Sequence, residues 1–283
     1  MPGIKITADA TCDLPYELLE RYNIDVCSLY VQFKGKMLKD KIEITPKEIF
    51  DDVKNGGPIP TTSAPSIGDY TEFFSKIREN YDEIVHINIS SAISASHQSA
   101  KLAAESMSGV YIVNSKSLSS GTGLLVLKAA EMVEKGLNGA EIAENLNAMA
   151  DKVKASFVID RLDFMKKGGR CSALAALGAN MLKIKPSIVL INGMLKLGQK
   201  YRGSLTRALE AYVDDQLAGK ADSLDLSCIF ITHSLLDDPG LVDFVKNRIA
   251  MHANFQNVYR SDASSVISAH CGPNTLGILY MLR

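Results

Sequence analysis

The sequence has no surplus of charge, no paired cysteines and no long apolar run. Its 31 Lys and Arg balance 32 Asp and Glu, which argues against nucleic acid or an anionic membrane surface as a partner. No stretch reaches the roughly 18 apolar residues of a membrane span, so we expect a cytoplasmic protein without membrane insertion. The widely spread cysteines favour reduced thiols over a disulfide framework or a zinc ribbon. They are Cys12, Cys27, Cys171, Cys228 and Cys271.

The sequence also lacks the common catalytic motifs. It contains no G-x-S-x-G elbow, no Walker A phosphate loop, no dinucleotide-binding G-x-G-x-x-G and no H-E-x-x-H zinc motif. The histidines are not spaced with Cys or Asp as metal ligands are, and we expect neither a metal nor a cofactor. They are His86, His97, His233, His252 and His270.

The length and composition indicate a folded protein of two domains. At roughly 150 residues per domain, 283 residues favour two lobes with a groove between them. A hydrophobic fraction of 46% and a charged fraction of 22% are typical of a globular protein.

Strand and helix patterns alternate in the first half of the chain. Short β-branched runs at 4–7, 84–89 and 110–113 are each followed by a helical pattern, which predicts a parallel sheet with helical crossovers. Two helix starts carry capping-box sequences, one at Thr45, which is followed by Pro46, and one at Ser66.

The second half begins near Ala155 with a predicted strand at 156–159 and a helix at 162–167. Two apolar runs, 186–191 and 194–200, flank Asn192-Gly193, the pair that a type I′ hairpin turn prefers. Helices at 204–217 and 238–251 and strands at 227–232 and 257–261 follow in this reading. We therefore predict an α/β protein with a mostly parallel, three-layer domain at 1–154 and an α/β domain with antiparallel strands at 155–283.

Hydroxyl side chains are concentrated beside the predicted strands. Ser90 and Ser91 follow the strand at 84–89, at the carboxyl end where open α/β sheets bind ligands. The other hydroxyls of interest are Thr61, Thr62, Ser63, Ser94, Ser96 and Ser99. They could converge on a ligand or cap the following helix and line its faces, and these two roles are not exclusive.

Two chemical interpretations of these hydroxyls stay open. A serine-dependent acyl hydrolase would need a base near the nucleophile, and His97 directly follows Ser96 but points in another direction on a helix. Hydroxyls without a nearby cationic run instead suit a single carboxyl head group, which accepts hydrogen bonds from neutral donors. The second interpretation predicts an acid with an apolar body.

Three further polar islands interrupt apolar sequence, and each also has a purely structural explanation. Gly168-Gly169-Arg170 could end a helix, Arg202-Gly203 could pair with acidic side chains, and His270 could be an ordinary core histidine. Taken singly, each favours the structural explanation, and only their combination changes that balance.

Read in order, these motifs resemble those of the DegV family. Thr7-Ala8-Asp9-Ala10-Thr11-Cys12-Asp13-Leu14-Pro15 is similar to the family's opening motif, and 89–100 is similar to its serine loop. The resemblance continues through 62–66, 113–116, 120–123, 162–170, 184–186, 200–203 and 270–273.

This resemblance implies a bacterial carrier that is not an enzyme. It implies one long-chain fatty acid, such as palmitate, stearate or oleate, lying between the domains and presented to a fatty acid kinase that forms an acyl phosphate. Thr62 and Ser94 match the head-group positions, with Ser63 and Ser91 as second contacts. Arg170, Arg202 and His270 match polar positions near the head group or a partner. A lipid-gated adaptor is a further alternative, and we expect a monomer.

The sequence departs from the family pattern at several positions. Ala95 replaces a common glycine and adds a methyl group beside the expected head-group loop. The other departures are Ala10 for serine, Ser96 for threonine, Ala64 for glutamine and Asn114 for aspartate. These differences predict a fatty-acid tunnel with its own shape.

Overall fold

The computed structural model describes residues 3–174 and 184–283 as an α/β protein. Its strands are β1 (Ile4–Asp9), β2 (Asp25–Cys27), β3 (Tyr30–Phe33), β4 (Lys36–Lys39), β5 (Thr61–Ser63), β6 (Glu83–Asn88), β7 (Val110–Asn114), β8 (Val153–Val158), β9 (Ile184–Ile191), β10 (Met194–Arg202), β11 (Leu224–His233), β12 (Asn257–Asp262) and β13 (Leu276–Leu282). Its α-helices are α1 (Tyr16–Arg21), α2 (Pro46–Lys54), α3 (Ile67–Arg78), α4 (Ser96–Ala104), α5 (Ser120–Glu134), α6 (Gly139–Met149), α7 (Leu162–Gly168), α8 (Leu205–Leu217), α9 (Gly240–Ala250) and α10 (Ser265–Cys271).

The N-terminal part, residues 3–152, is built on a parallel sheet of order β2-β1-β6-β7. Alternate residues of β6 face opposite layers: Val85 and Ile87 pack towards α5 and α6, and Ile84 packs towards α3 and α4. The prediction of a parallel sheet with helical crossovers is confirmed. Thr45 and Ser66 form the predicted capping boxes at the starts of α2 and α3.

The C-terminal part, residues 153–283, contains a six-stranded sheet of order β10-β9-β8-β13-β11-β12. Its strands pair antiparallel except for the parallel pair β11 and β12. The hairpin prediction is confirmed: Ile191 pairs with Met194, and Asn192 (φ 52°) and Gly193 (φ 76°) take the left-handed conformations of a type I′ turn. The predicted domain boundary at 154/155 falls within β8, and the division into domains stays a prediction.

Helix α5 joins the two parts. It packs against β1 and β6 on one side and against β8 and β13 on the other, so apolar residues cover it nearly all round. Within residues 3–174 and 184–283, no helix combines the length and the apolar composition that crossing a membrane requires.

A small antiparallel sheet, β4-β3-β5, was not predicted from the sequence, and it brings Thr62 towards the C-terminal part. Its cluster of apolar side chains joins Leu29 and Phe50 to Phe164 and Val266. The rings of Phe50 and Phe164 meet edge to face with centroids 5.6 Å apart. This packing places β5 beside α7 and α10.

Candidate functional site

A cavity of about 250 Å³ lies where β5, the loop after β6, α7 and α10 meet. Both the N-terminal and the C-terminal part of the chain contribute to its walls. The walls are largely apolar, and they include Ile89, Leu118, Phe157, Met165, Leu195 and Ile267. Since most of these side chains are also buried in one core cluster, the cavity is set in well-packed surroundings.

One wall of the cavity carries a hydroxyl–imidazole pair. Thr62 Oγ1 and His270 Nε2 are 2.8 Å apart, which joins β5 to the last turn of α10. With its proton on Nε2, His270 donates to Thr62 Oγ1, and the Thr62 hydroxyl hydrogen is then available to a third group in the cavity. A neutral His270 can therefore orient the Thr62 hydroxyl so that it donates a hydrogen bond to an anionic ligand.

Burial, reinforced by the positive charge of Arg170, lowers the pKa of His270 to about 4. His270 is therefore neutral at physiological pH, and the cavity wall gains no cation from it. His270 Nδ1 is buried without a hydrogen-bond partner among the described residues.

The serine loop supplies Ser94 to the cavity lining. Ser94 Oγ accepts a hydrogen bond from the backbone N of Ser96 at 3.2 Å, so it supports the start of α4. Its hydroxyl hydrogen stays available for a ligand, because accepting one hydrogen bond does not use it. At Ser94 capping and ligand contact are therefore compatible.

The remaining predicted site residues divide into two groups. Ser63 and Arg170 line the cavity, and Arg170 Nη1 donates to the carbonyl of Gly168 at 2.6 Å. Ser91 and Arg202 lie outside the lining. Ser91 Oγ accepts from Asn114 Nδ2 at 2.7 Å, which directs it towards β7, and Arg202 is exposed at the end of β10.

Asp9 holds the serine loop, a role that the sequence analysis missed. Its Oδ2 accepts hydrogen bonds from the backbone N of Ile89 and from Ser96 Oγ, both at 2.9 Å, and its Oδ1 accepts from Tyr70 and Asn88. Burial alone would raise the pKa of Asp9, but hydrogen bonds led by that of His86 lower it. A carboxylate at the end of β1 was the available signal in the sequence.

Ser96, the serine beside His97 that the hydrolase interpretation considers, is engaged by other groups. Ser96 Oγ donates to Asp9, and Tyr70 is its other partner, at 2.6 Å. The Thr62 and His270 pair lacks, among the described residues, the third group that would orient the ring through Nδ1. Residues 3–174 and 184–283 also contain no group of three or more His, Cys, Asp or Glu side chains that could hold a metal ion.

The low pKa of His270 gives a first prediction. In an NMR titration its ring should stay neutral down to about pH 5. Because the unfolded chain takes up a proton near 6.5 and the folded chain near 4, this residue makes the folded state less stable as pH falls through that range. At pH 5 we expect this effect to lower the free energy of unfolding by about 2 kcal/mol. The variant His270→Asn should lack this pH-dependent loss. A ring that titrates near pH 6.5 in the folded protein would contradict its buried position.

A family model described as "Uncharacterised protein, DegV family" matches residues 3–283. Among curated relatives, a DegV domain-containing protein of Deinococcus radiodurans is 28% identical over 288 residues, covering 98% of this chain and 97% of that protein.

Solved structures agree with this match. A DegV family protein from Thermus thermophilus, described for its fatty acid binding, superposes with a TM-score of 0.88 at 31% identity, covering 100% of both chains. A stearic-acid-binding protein from Eubacterium ventriosum gives a TM-score of 0.78 at 25% identity, covering 99% of this chain and 98% of that one.

Proposed function

The chain belongs to the DegV family, and on that premise we propose that it binds one long-chain fatty acid in the cavity between its N-terminal and C-terminal parts. The observation that carries this proposal is a largely apolar cavity with the Thr62 and His270 pair in its wall. Two solved relatives described as binding a fatty acid, one of them stearic acid, support it.

Burial of the acyl chain would supply most of the affinity. Each methylene moved from water into apolar surroundings contributes about 0.8 kcal/mol, so a chain of about 16 carbons gains at most about 12 kcal/mol before the costs of binding. The largely apolar walls of the cavity suit an acyl chain.

The polar side chains would orient the carboxyl group. Thr62 and Ser94 can each donate a hydroxyl hydrogen, and a neutral His270 can fix the Thr62 hydroxyl through Nε2. Arg170 lies at the same cavity and adds a positive charge, and its Nη1 donates to the backbone carbonyl of Gly168. Ser63 is a second hydroxyl within the lining.

As a carrier, the chain would leave the chemistry to a partner. We propose that a fatty acid kinase transfers the terminal phosphoryl group of ATP to the bound carboxylate, giving an acyl phosphate and ADP. The absence of a Walker A sequence in this chain agrees with a partner that brings the nucleotide site. We further propose that the chain is a cytoplasmic monomer whose two domains meet at 154/155.

A binding comparison tests this function. We expect palmitate, stearate and oleate to bind with a stoichiometry of one, and their methyl esters to bind at least about tenfold more weakly, because an ester is a poorer acceptor than a carboxylate. Release of alcohol from the methyl ester would instead support the hydrolase. A complex with a protein partner that depends on the fatty acid, but forms without phosphorylation of it, would support the adaptor.

A further inference from the structure

The short helix α10 determines where His270 lies. Val266, Ile267, His270 and Cys271 of this helix all line the cavity. With residues 265–271 only, α10 has few backbone hydrogen bonds of its own, so its position depends on what holds its ends.

The first turn of α10 is held by the N-terminal part of the chain. Asp13 Oδ1 accepts a hydrogen bond from the backbone N of Ser264 at 3.0 Å. Ser264 is the N-cap of α10, and its hydroxyl accepts from the backbone N of Ile267. The hydroxyl of Ser261 donates to the backbone carbonyl of Asp13. Asp13 therefore binds both the cap of α10 and the segment leading into it.

The Asp13 carboxylate is itself fixed from two other elements. Ser119, just before α5, donates its hydroxyl to Asp13 Oδ2 at 2.5 Å. Lys41 Nζ lies 3.4 Å from Asp13 Oδ1. A second buried carboxylate, that of Asp40, accepts from the backbone N of Ser265 at 2.8 Å. Residues from three places in the chain, around 13, 40 and 119, thus converge on the start of α10.

Burial makes this carboxylate costly to keep ionised. Burial raises the pKa of Asp13 to about 6, and the charge of Lys41 with the hydrogen bonds from Ser119 and Ser264 offsets only part of that effect. Because its folded pKa lies above the unfolded value of 3.8, the folded state becomes less stable as pH rises from about 4 to 6.

We propose that Asp13 is a positioning residue for the head-group site: by holding the cap of α10, its carboxylate sets the ring of His270 against Thr62. This inference rests on the proposed fatty-acid function for its consequence in binding, but the placement of His270 can be measured without any ligand. Asp9, the last residue of β1, holds the serine loop, so carboxylates four residues apart position both the serine loop and α10.

The test compares Asp13→Ala with Asp13→Asn. Asp13→Ala removes every acceptor of the Asp13 side chain and should shift the NMR signal of the His270 ring in the ligand-free protein and weaken oleate binding by about tenfold or more. Asp13→Asn keeps one oxygen acceptor and the same shape, so it should restore the His270 signal and keep affinity within about threefold of the unaltered protein.

Val245→Ala is the control for general loss of stability. Val245 is buried in α9, in a cluster that contains no residue of α10. The variant Val245→Ala should lower the unfolding temperature without moving the His270 signal. If Asp13→Ala does not fold, Ser119→Ala carries the test, since it removes one donor from the carboxylate and should shift the same signal in the same direction.

The proposal is overturned if Asp13→Ala, or Ser119→Ala in its place, leaves the His270 signal unchanged. It is also overturned if Val245→Ala moves that signal and reduces oleate affinity as much as Asp13→Ala does. Failure of the unaltered protein to bind oleate would contradict the proposed function instead, and the His270 signal would still decide the role of Asp13.

Discussion

Replacement of Cys271 by phenylalanine is expected to weaken fatty acid binding by about 100-fold. Cys271 lines the cavity at the end of α10 and is almost fully buried. A phenyl ring there would occupy space that an acyl chain needs. Displacing about four methylenes into water costs about 3 kcal/mol, which corresponds to the stated loss of affinity. Isothermal titration calorimetry with oleate and stearate measures this loss of affinity directly.

Cys228→Phe is the matched control for this substitution. Cys228 is a half-buried residue of β11 that does not line the cavity. The same chemical change there should leave the dissociation constant within about twofold of the unaltered protein. Equal losses of affinity in the two variants, or full affinity in Cys271→Phe, would place the acyl chain elsewhere.

Removal of the head-group hydroxyls should weaken binding by about 1 to 3 kcal/mol for each residue, or roughly 5- to 150-fold. Thr62→Val keeps the shape of the side chain and removes its hydroxyl, and with it the contact to His270 Nε2. Ser94→Ala removes the hydroxyl supplied by the serine loop. Each change leaves a buried acceptor on the ligand without its donor. Binding of stearate by calorimetry gives both values.

The neighbouring residue provides a control for Thr62→Val. Thr61 lies on the opposite face of β5, where its hydroxyl donates to Gln32 Oε1 at 3.1 Å on the surface. Thr61→Val should therefore leave affinity unchanged. Unchanged affinity in both Thr62→Val and Ser94→Ala would exclude these hydroxyls from the head-group site.

Local sequence patterns predicted the elements that local chemistry determines. Asn192-Gly193 specified its hairpin because both residues tolerate the left-handed conformation that the turn requires. Thr45 and Ser66 specified helix starts because each has an acidic residue three positions later that completes the capping box. The parallel sheet followed from the alternation of strand and helix patterns.

Long-range pairings could not be predicted in the same way. Thr62 and His270 are 208 positions apart, and only the packing of β5 against α10 brings them together. The roles of Asp9 and Asp13 depend on the ends of other elements, which no spacing in the sequence reveals. Ser91 was predicted at the ligand because it follows β6, but its hydrogen bond to Asn114 directs it to the neighbouring strand. The final strand, β13, was missed because its short apolar run carries no distinctive period.

The most direct test of the central claim is native mass spectrometry of the purified protein, followed by denaturing extraction of anything bound. We expect one fatty acid per chain, either retained through purification or taken up on incubation with acids of about 14 to 18 carbons, in line with the methylene contribution to affinity. Protein that stays empty after that incubation would contradict a fatty-acid carrier and return the serine loop to the hydrolase hypothesis.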